Sequence, residues 1–342
     1  NDFSNSGSAY VIFGTTSPTA VNLDDVALGS GGFKINLAQS GDQTGYSVDG
    51  AGDINGDGID DLIIGARFND ENGANAGAAY VVFGTNASPS FVDLDAVDSG
   101  TGGFKIIGET GGDVAGFSVA GVGDINGDGI DDVILGAYGA DSDKGAAYVI
   151  FGSTVPFSNI DLNTVAAGTG GFKISGQYSS DFAGVSVASA GDINGDGIDD
   201  LIVSATRNDE TENDAGAAYV VFGSTTAPTS IDLTDVANGT GGFKVRGENA
   251  GDYAGFVGKA GDIDCDGFDD LIVGARFGDS GGTDSGSSYV IYGGDFTESV
   301  TQLGSGVDEQ LTGTAGADVL LGAQGTDFLV GNGGADVLKG GE

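Results

Sequence analysis

The sequence predicts an all-β protein: four-stranded propeller blades, about four and a half of them in 342 residues, followed by a short parallel β-roll. Three observations carry this. The stretch Ala-Tyr-Val-(Val/Ile)-Phe-Gly recurs with its Tyr at Tyr10, Tyr80, Tyr148, Tyr219 and Tyr289, spacings of 70, 68, 71 and 70 residues. An acidic loop, Asp53-Ile54-Asn55-Gly56-Asp57-Gly58-Ile59-Asp60-Asp61, returns at Asp124 to Asp132, at Asp192 to Asp200 and, with changes, at Asp262 to Asp270. Beyond Leu311 the period falls to nine residues. A long fixed period built of short apolar runs is the pattern of propeller blades, and a nine-residue period is that of a β-roll.

Within a repeat the elements follow in order. A Gly-(Tyr/Phe/Val) pair, at Tyr46, Phe117, Val185 and Phe256, opens the first strand. The acidic loop turns the chain into the second strand, Asp-Leu-Ile-Ile-Gly-Ala, which is apolar on both faces as a strand sandwiched between neighbouring blades must be. The third strand holds the Tyr and ends in an aromatic. A longer connection such as Ser90 to Val97 follows and is expected to hold one short helical turn and to be rim decoration, the alternative being a contact surface. Gly-Gly-Phe-Lys, at Phe33, Phe104, Phe172 and Phe243, makes the fourth strand.

Each acidic loop has acceptor oxygens at positions 1, 3, 5 and 9, a Gly at position 6 for a sharp turn, and a carbonyl at position 7 able to point inward. This is an oxygen cage for a hard cation, and its carboxylate count suits Ca²⁺ better than Mg²⁺. An EF-hand would place a Glu at position 12 and a helix on each side. Position 12 here is Ile64, Leu135, Val203 or Ile272, and the flanks read as strands, so each loop closes a β-hairpin. The Asp residues at position 8, Asp60, Asp131, Asp199 and Asp269, are expected to face solvent or cap a turn.

Composition narrows the function. Eleven Lys plus Arg stand against 51 Asp plus Glu, a net charge of -40, which excludes nucleic acid or an anionic membrane as a charge-driven partner. The absence of His removes Ser-His-Asp triads, His-ligated zinc and His-ligated haem. Cys265 is the single cysteine, so no intrachain disulfide forms, and no apolar run reaches the length of a membrane span. Paired acids such as Asp60 and Asp61 are poor glycosidase candidates, because adjacent strand residues point to opposite faces.

These residues resemble FG-GAP repeats, the blades of the integrin α-subunit propeller. Gly116-Phe117 stands for "FG" and Gly136-Ala137 for the start of "GAP"; the Pro of that name is replaced by Arg67, Tyr138, Thr206 and Arg276. The resemblance covers roughly residues 1–295, and Gly-Gly-Phe-Lys is similar to the bacterial branch found in large secreted proteins. It implies structural Ca²⁺ in each loop. By position the ligands would be Asp53, Asn55, Asp57, the Ile59 carbonyl and Asp61, then Asp124, Asn126, Asp128, the Ile130 carbonyl and Asp132. The third set would be Asp192, Asn194, Asp196, the Ile198 carbonyl and Asp200. The fourth, Asp262, Asp264, Asp266, the Phe268 carbonyl and Asp270, trades Asn for Asp at position 3 and Gly for Cys265 at position 4.

The blades are assigned to residues 1–300, a linker to 301–312, and truncated nonapeptide repeats to 313–342. Val300 to Leu303 is expected to stand in for the last blade's fourth strand. Asn1-Asp2 aligns with Asn69-Asp70, so the chain is expected to open inside a blade, as a piece of a longer array; the alternative is a smaller ring closed by its own ends. In the nonapeptides Gly313, Gly316 and Asp318 recur as Gly322, Gly325 and Asp327 and as Gly331, Gly334 and Asp336. Leu320, Leu329 and Leu338 follow each Asp to fill a narrow core. The segment resembles RTX repeats, in which Asp318, Asp327 and Asp336 would bind Ca²⁺ between stacked turns. It departs from them at the second Gly, here Thr314, Ala323 or Asn332. That resemblance implies type I secretion.

The function expected is an extracellular, non-enzymatic Ca²⁺-binding module for adhesion, taking a protein or glycan ligand at a bacterial cell surface. The alternative is a structural subunit of a surface layer or filament, partnered by copies of itself. A third reading is the non-catalytic module of a secreted hydrolase. No Arg-Gly-Asp tripeptide is present, and the sequence names no ligand.

Overall fold

The computed structural model describes residues 7–16, 20–36, 41–87, 89–305 and 307–340, so Asn1 and Asp2 lie outside the described residues. Strand dominates; among the described residues helix occurs only as segments of four or five residues. The chain forms two compact units. One comprises residues 1–121, 130–187 and 228–235, the other 122–129, 188–227 and 236–342.

In the first unit the blade pattern is plainest in the sheet built from Val48–Gly52, Asp61–Ala66, Ala78–Val82 and Gly103–Ile107. Adjacent strands are antiparallel, with Ile64 opposite Tyr80 and Tyr80 opposite Lys105. The next repeat forms the same sheet from Ser118–Gly123, Asp132–Ala137, Ala146–Ile150 and Gly171–Ser175. Strands two and three bury nearly every side chain, Ile63, Val81, Ile134, Leu135 and Tyr148 among them. Each such apolar side chain contributes about 1.5–3 kcal/mol. Strands Ser8–Ile12 and Gly32–Asn36 supply the third and fourth strands of an earlier repeat.

The connection after the third strand is not rim decoration. Its strand Phe91–Asp93 pairs in parallel with Gly32–Asn36 of the preceding repeat, and Ile160–Asp161 and Ser230–Asp232 do the same to Gly103–Ile107 and Gly171–Ser175. The blades that end in Gly103–Ile107 and Gly171–Ser175 thus gain a fifth strand from their successors, whereas the sheet that ends in Gly242–Arg246 has four strands and gains none. A capped helical turn follows: the Asp93 side chain accepts the N–H of Asp95, and Leu94 and Val97 are buried. Phe157, on the same kind of connection, stacks on Phe104 of the previous repeat with centroids 4.3 Å apart. The sequence reading foresaw the helical turn but not the stitch, because a three-residue strand has too few positions to show an alternation.

The repeated motifs have physical reasons. A Cβ on Gly65 of the second strand would lie 2.1 Å from the carbonyl oxygen of Gly116, the "FG" glycine of the next repeat; Gly136 meets Gly184 in the same way. Only a glycine lets those backbones approach. The third repeat carries Ser204 at this position. The Lys of Gly-Gly-Phe-Lys is ion-paired, buried Lys105 with Glu71 and Asp98 and half-buried Lys173 with Glu109 and Asp141. Each ammonium also lies 5.5 Å from the ring of the third-strand Tyr, Tyr80 and Tyr148 respectively.

In the second unit Asp200–Ala205, Ala217–Val221 and Gly242–Arg246 continue the pattern, as do Ala254–Gly261, Asp270–Ala275 and Ser287–Ile291. Buried Lys244 pairs with Glu210. The C-terminal segment is a parallel roll: Gln302–Leu303, Val319–Leu321 and Val337–Lys339 stack in one sheet, Gln310–Thr312 and Phe328–Val330 in another. Residues expected in a linker therefore belong to the roll, and Gln302–Leu303 does not complete the last blade. Leu320 fills the core as expected, whereas Leu338 is 46% exposed, with no later strand over it among the described residues. Ala323 and Asn332, which replace glycines, hold left-handed φ values of 60° and 70°.

Candidate metal centre

Every acidic loop is folded by its own first carboxylate. Asp53 Oδ1 accepts the N–H of Asp57 at 2.9 Å and Oδ2 that of Gly58 at 2.7 Å. Asp124 takes the N–H groups of Gly127, Asp128 and Gly129. Asp192 takes those of Asp196 and Gly197, and Asp262 those of Asp266 and Gly267. The carboxylate at position 5 closes a smaller turn, Asp57 accepting Ile59 N–H, Asp196 that of Ile198 and Asp266 that of Phe268, each at 3.0 Å. Position 6 needs a left-handed residue and is Gly in every loop, with φ from 85° to 94°. Position 4 needs one too: Gly56, Gly127 and Gly195 have φ of 71° to 76°, and Cys265 is held at 61°.

The Asp at position 9 is buried in all four loops. Oδ1 of Asp61, Asp132, Asp200 and Asp270 accepts the N–H of Gly84, Gly152, Gly223 and Gly293, the glycine that ends the third strand, at 2.6, 2.8, 2.8 and 2.9 Å. Burial pushes the Asp61 carboxyl up to about 6, with the charges of Asp57 and Asp53 adding to the effect. Burial, then Asp196 and Asp192, pushes Asp200 up to about 8.

The donor set fits Ca²⁺. In the fourth loop Asp262, Asp264 and Asp270 each bring a carboxylate oxygen within 4.8 Å of the others. Two oxygens on one Ca²⁺ stand at most about 5 Å apart, so these can share an ion. The other loops carry Asn at position 3 and so fewer carboxylates. In the first, Asn55 Nδ2 donates to Asp61 Oδ2 at 3.2 Å. In the third, Nδ2 of fully buried Asn194 has no hydrogen-bond partner. Asn194 Oδ1 accepts the N–H of Asp196 at 2.8 Å.

In the roll, Asp318 N–H donates to Asp336 Oδ1 and Glu309 N–H to Asp327 Oδ1, each across 18 residues. Asp318 and Asp336 thus share one side of the roll, and Asp327 stands apart with Glu309. Sequence reasoning missed a second set of repeated carboxylates, the buried Asp42, Asp113, Asp181 and Asp252. Asp42 Oδ2 accepts Asn69 Nδ2 at 2.7 Å. Their signal was present in Gly-Asp-x-x-Gly at residues 41–45, 112–116 and 251–255.

Blades that each carry an oxygen-lined hairpin loop define a calcium-binding β-repeat protein. Comparison with known proteins names the repeats. The FG-GAP repeat matches residues 44–82, 115–150, 183–221 and 254–291, and the RTX calcium-binding nonapeptide repeat matches 303–341. The chain thus carries four FG-GAP repeats, and RTX calcium-binding repeats at its C-terminal side. It is 31% identical to integrin alpha-5 of Xenopus laevis over 185 residues, 52% of this chain and 16% of that protein. It is 32% identical to integrin alpha pat-2 of Caenorhabditis elegans over 251 residues, 68% of this chain and 18% of that protein. Similarity to the phosphatidylinositol-glycan-specific phospholipase D of Bos taurus is 30% over 179 residues, 50% of this chain and 20% of that protein. The chain therefore spans a fifth or less of the length of these relatives. No described helix is long and apolar enough to cross a membrane.

Proposed function

We propose that this chain is a Ca²⁺-set, non-enzymatic binding module that acts outside the cell, in adhesion to a protein or glycan at a bacterial surface. The observation that carries the calcium part is the register of the loops: each repeat returns its carboxylates at positions 1, 5 and 9, and the position-9 Asp is buried in every one. The ligands are then Asp53, Asn55, Asp57 and Asp61 with the Ile59 carbonyl, and their equivalents in the other three loops. Calcium at a protein site draws together carboxylates that otherwise repel, and its role here is to lock the hairpin between first and second strands. The acidic composition, the RTX segment and the likeness to integrin α chains support an extracellular setting reached by type I secretion. The likeness to a phospholipase D supports a second reading, in which these blades are the non-catalytic module of a secreted hydrolase.

Calorimetric titration of the full chain with Ca²⁺, followed by binding to arrayed glycans and to cells in Ca²⁺ and in chelator, tests the proposal. Stoichiometric uptake at the blade loops and calcium-dependent capture are expected. Ordered polymers forming in Ca²⁺, with no capture, would favour the structural-subunit role instead.

A further inference from the structure

The third loop is more deeply buried than its counterparts. Asp192, Asn194 and Gly195 are buried, whereas Asp53 and Asn55 are half-buried and Gly56 is exposed. The C-terminal roll supplies the cover. Leu321 lies over Gly195 and Gly267, and Val337 presses so closely on Gly197 that a Cβ there would be 2.5 Å from its Cγ2. Gln324 Nε2 donates to the carbonyl of Asp264 at 3.4 Å. At the end of the same strand as Val337, the Lys339 ammonium reaches Asp192 Oδ2 at 2.5 Å, the oxygen that also accepts Gly197 N–H. The Asp192 side chain is 6% exposed and that of Lys339 33%, so this is a partly solvated ion pair whose carboxylate is buried.

We propose that Lys339 is a tethered counter-cation of the third loop, which competes with Ca²⁺ for the Asp192 carboxylate, so that Ca²⁺ entering the loop displaces the ammonium. The inference rests on the assignment of residues 192–200 as a calcium loop. Asp192, Asp196 and Asp200 gather negative charge in a place with little water, and one positive group must offset it. A divalent ion and an ammonium held on the same carboxylate repel each other, so filling the loop with one loosens the other. Two consequences follow from linkage. The third loop binds Ca²⁺ more weakly than it would without Lys339, and its occupancy is coupled to release of the roll's last turn. The device makes seating of the roll a reporter of calcium at one blade loop.

The test uses the full chain, with Ca²⁺ as the probe. Hydrogen exchange of the segments 53–61 and 192–200 is followed against Ca²⁺ in the parent, in Lys339→Gln and in Lys339→Arg. In parallel, acetylation of the Lys339 amine is timed by mass spectrometry in the parent protein, a readout that needs no variant. Lys339→Gln should lower the calcium midpoint of segment 192–200 by about fivefold, the upper end for a partly solvated ion pair. Lys339→Arg and segment 53–61 should stay at the parental values, and Ca²⁺ should speed Lys339 acetylation. Equal midpoints for segment 192–200 in all three proteins, with acetylation indifferent to Ca²⁺, would overturn the tether while leaving the calcium loops standing. Should no loop segment respond to Ca²⁺, the calcium assignment fails and the tether with it.

Discussion

The carboxylate of Asp131 accepts the backbone N–H of Asp53 at 2.8 Å, so the eighth residue of one acidic loop holds the first residue of the loop before it. The relationship repeats: Asp199 Oδ2 takes Asp124 N–H at 3.1 Å, and Asp269 Oδ2 takes Asp192 N–H at 3.0 Å. A backbone bond accompanies it in two cases, Asp199 N–H to Asp124 O and Asp269 N–H to Asp192 O, both at 3.2 Å. The position-8 Asp was expected to cap a turn or face solvent. It does cap, but the turn belongs to the neighbouring repeat.

Because the first Asp of each loop is its central fold-forming group, removing the strut from the next loop should be felt there. Asp131→Ala is expected to cost about 1.5–3 kcal/mol, the worth of a hydrogen bond to a charged group. It should also weaken Ca²⁺ at residues 53–61, a loop the substitution does not enter. Urea unfolding gives the first quantity and calcium-dependent exchange of segment 53–61 the second. Parental values for both would show the strut to be inert.

The stitching connection gives a second expectation. Leu162 is fully buried in the helical turn that follows strand Ile160–Asp161. Leu162→Ala should therefore lower stability by about 2–5 kcal/mol, as for a core leucine. A rim decoration would tolerate the change within about 0.5 kcal/mol, and thermal unfolding separates the two.

Cys265 stands where the other loops have glycine, at a left-handed φ of 61°. A non-glycine residue there costs about 1–2 kcal/mol. Glycine returns part of that as lost chain entropy, about 0.5–1 kcal/mol. Cys265→Gly should raise stability by up to about 1 kcal/mol, and Gly56→Ala should lower it. Melting of both variants in Ca²⁺ checks the pair, and a stabilising Gly56→Ala would refute the strain argument.

Much of this was legible in the sequence. The spacing of Tyr80, Tyr148 and Tyr219 exposed the repeat, and the Asp-x-Asn-x-Asp-Gly loops exposed their own hairpins, because local turn chemistry is written in consecutive residues. What joins one repeat to the next was not legible. The parallel pairing of Lys34 with Phe91, the Asp131 strut and the seat of Lys339 on Asp192 each link residues far apart in the chain. No spacing rule marks them. The roll misled for a different reason: the turn before Gly313 keeps Gly304 and Leu311 in the nine-residue register but has Val307 and Glu309 where later turns have Gly and Asp, yet residues 302–303 and 310–312 complete its sheets.

Acid should substitute for calcium in part. Asp61 and Asp200 have carboxyls raised by burial to about 6 and about 8, well above the usual carboxylate range. In that window the folded chain binds more protons than the unfolded one, so stability falls as pH rises. The contribution is complete below pH ~4 and is lost as pH climbs through 6 and then 8. In chelator the melting temperature should climb as pH is lowered from about 8 to about 5. In Ca²⁺ the slope should flatten, because the ion holds these groups ionised and protons must compete with it. A melting temperature in chelator that is level across that range would mean the buried carboxylates are charged and satisfied without a metal.

Calcium itself should set the stability of the blades. Asp57 is exposed, and the one bond its side chain makes within the loop is to Ile59 N–H. Without an ion it therefore contributes little to the fold; with one it supplies a ligand oxygen from position 5. Asp57→Ala should lower the melting temperature in millimolar Ca²⁺ and change it little in chelator, and Asp128→Ala should behave alike in the second loop. A site that binds only the folded state adds RT ln(1 + [L]/Kd), about 2.7 kcal/mol at a hundred times Kd. Extracellular modules bind Ca²⁺ at ~10⁻⁴–10⁻³ M, so each loop adds rather less than that at millimolar calcium. Over four loops in register the total still rivals the roughly 5–15 kcal/mol that holds an ordinary domain together. The chain should thus be loose where free calcium is low and set where it is high, which is the behaviour an exported module needs. Thermal unfolding of the parent and both variants, in Ca²⁺ and in chelator, decides the matter: if chelation leaves the parental melting temperature unmoved, the loops are ordinary turns and their carboxylates hold no structural ion.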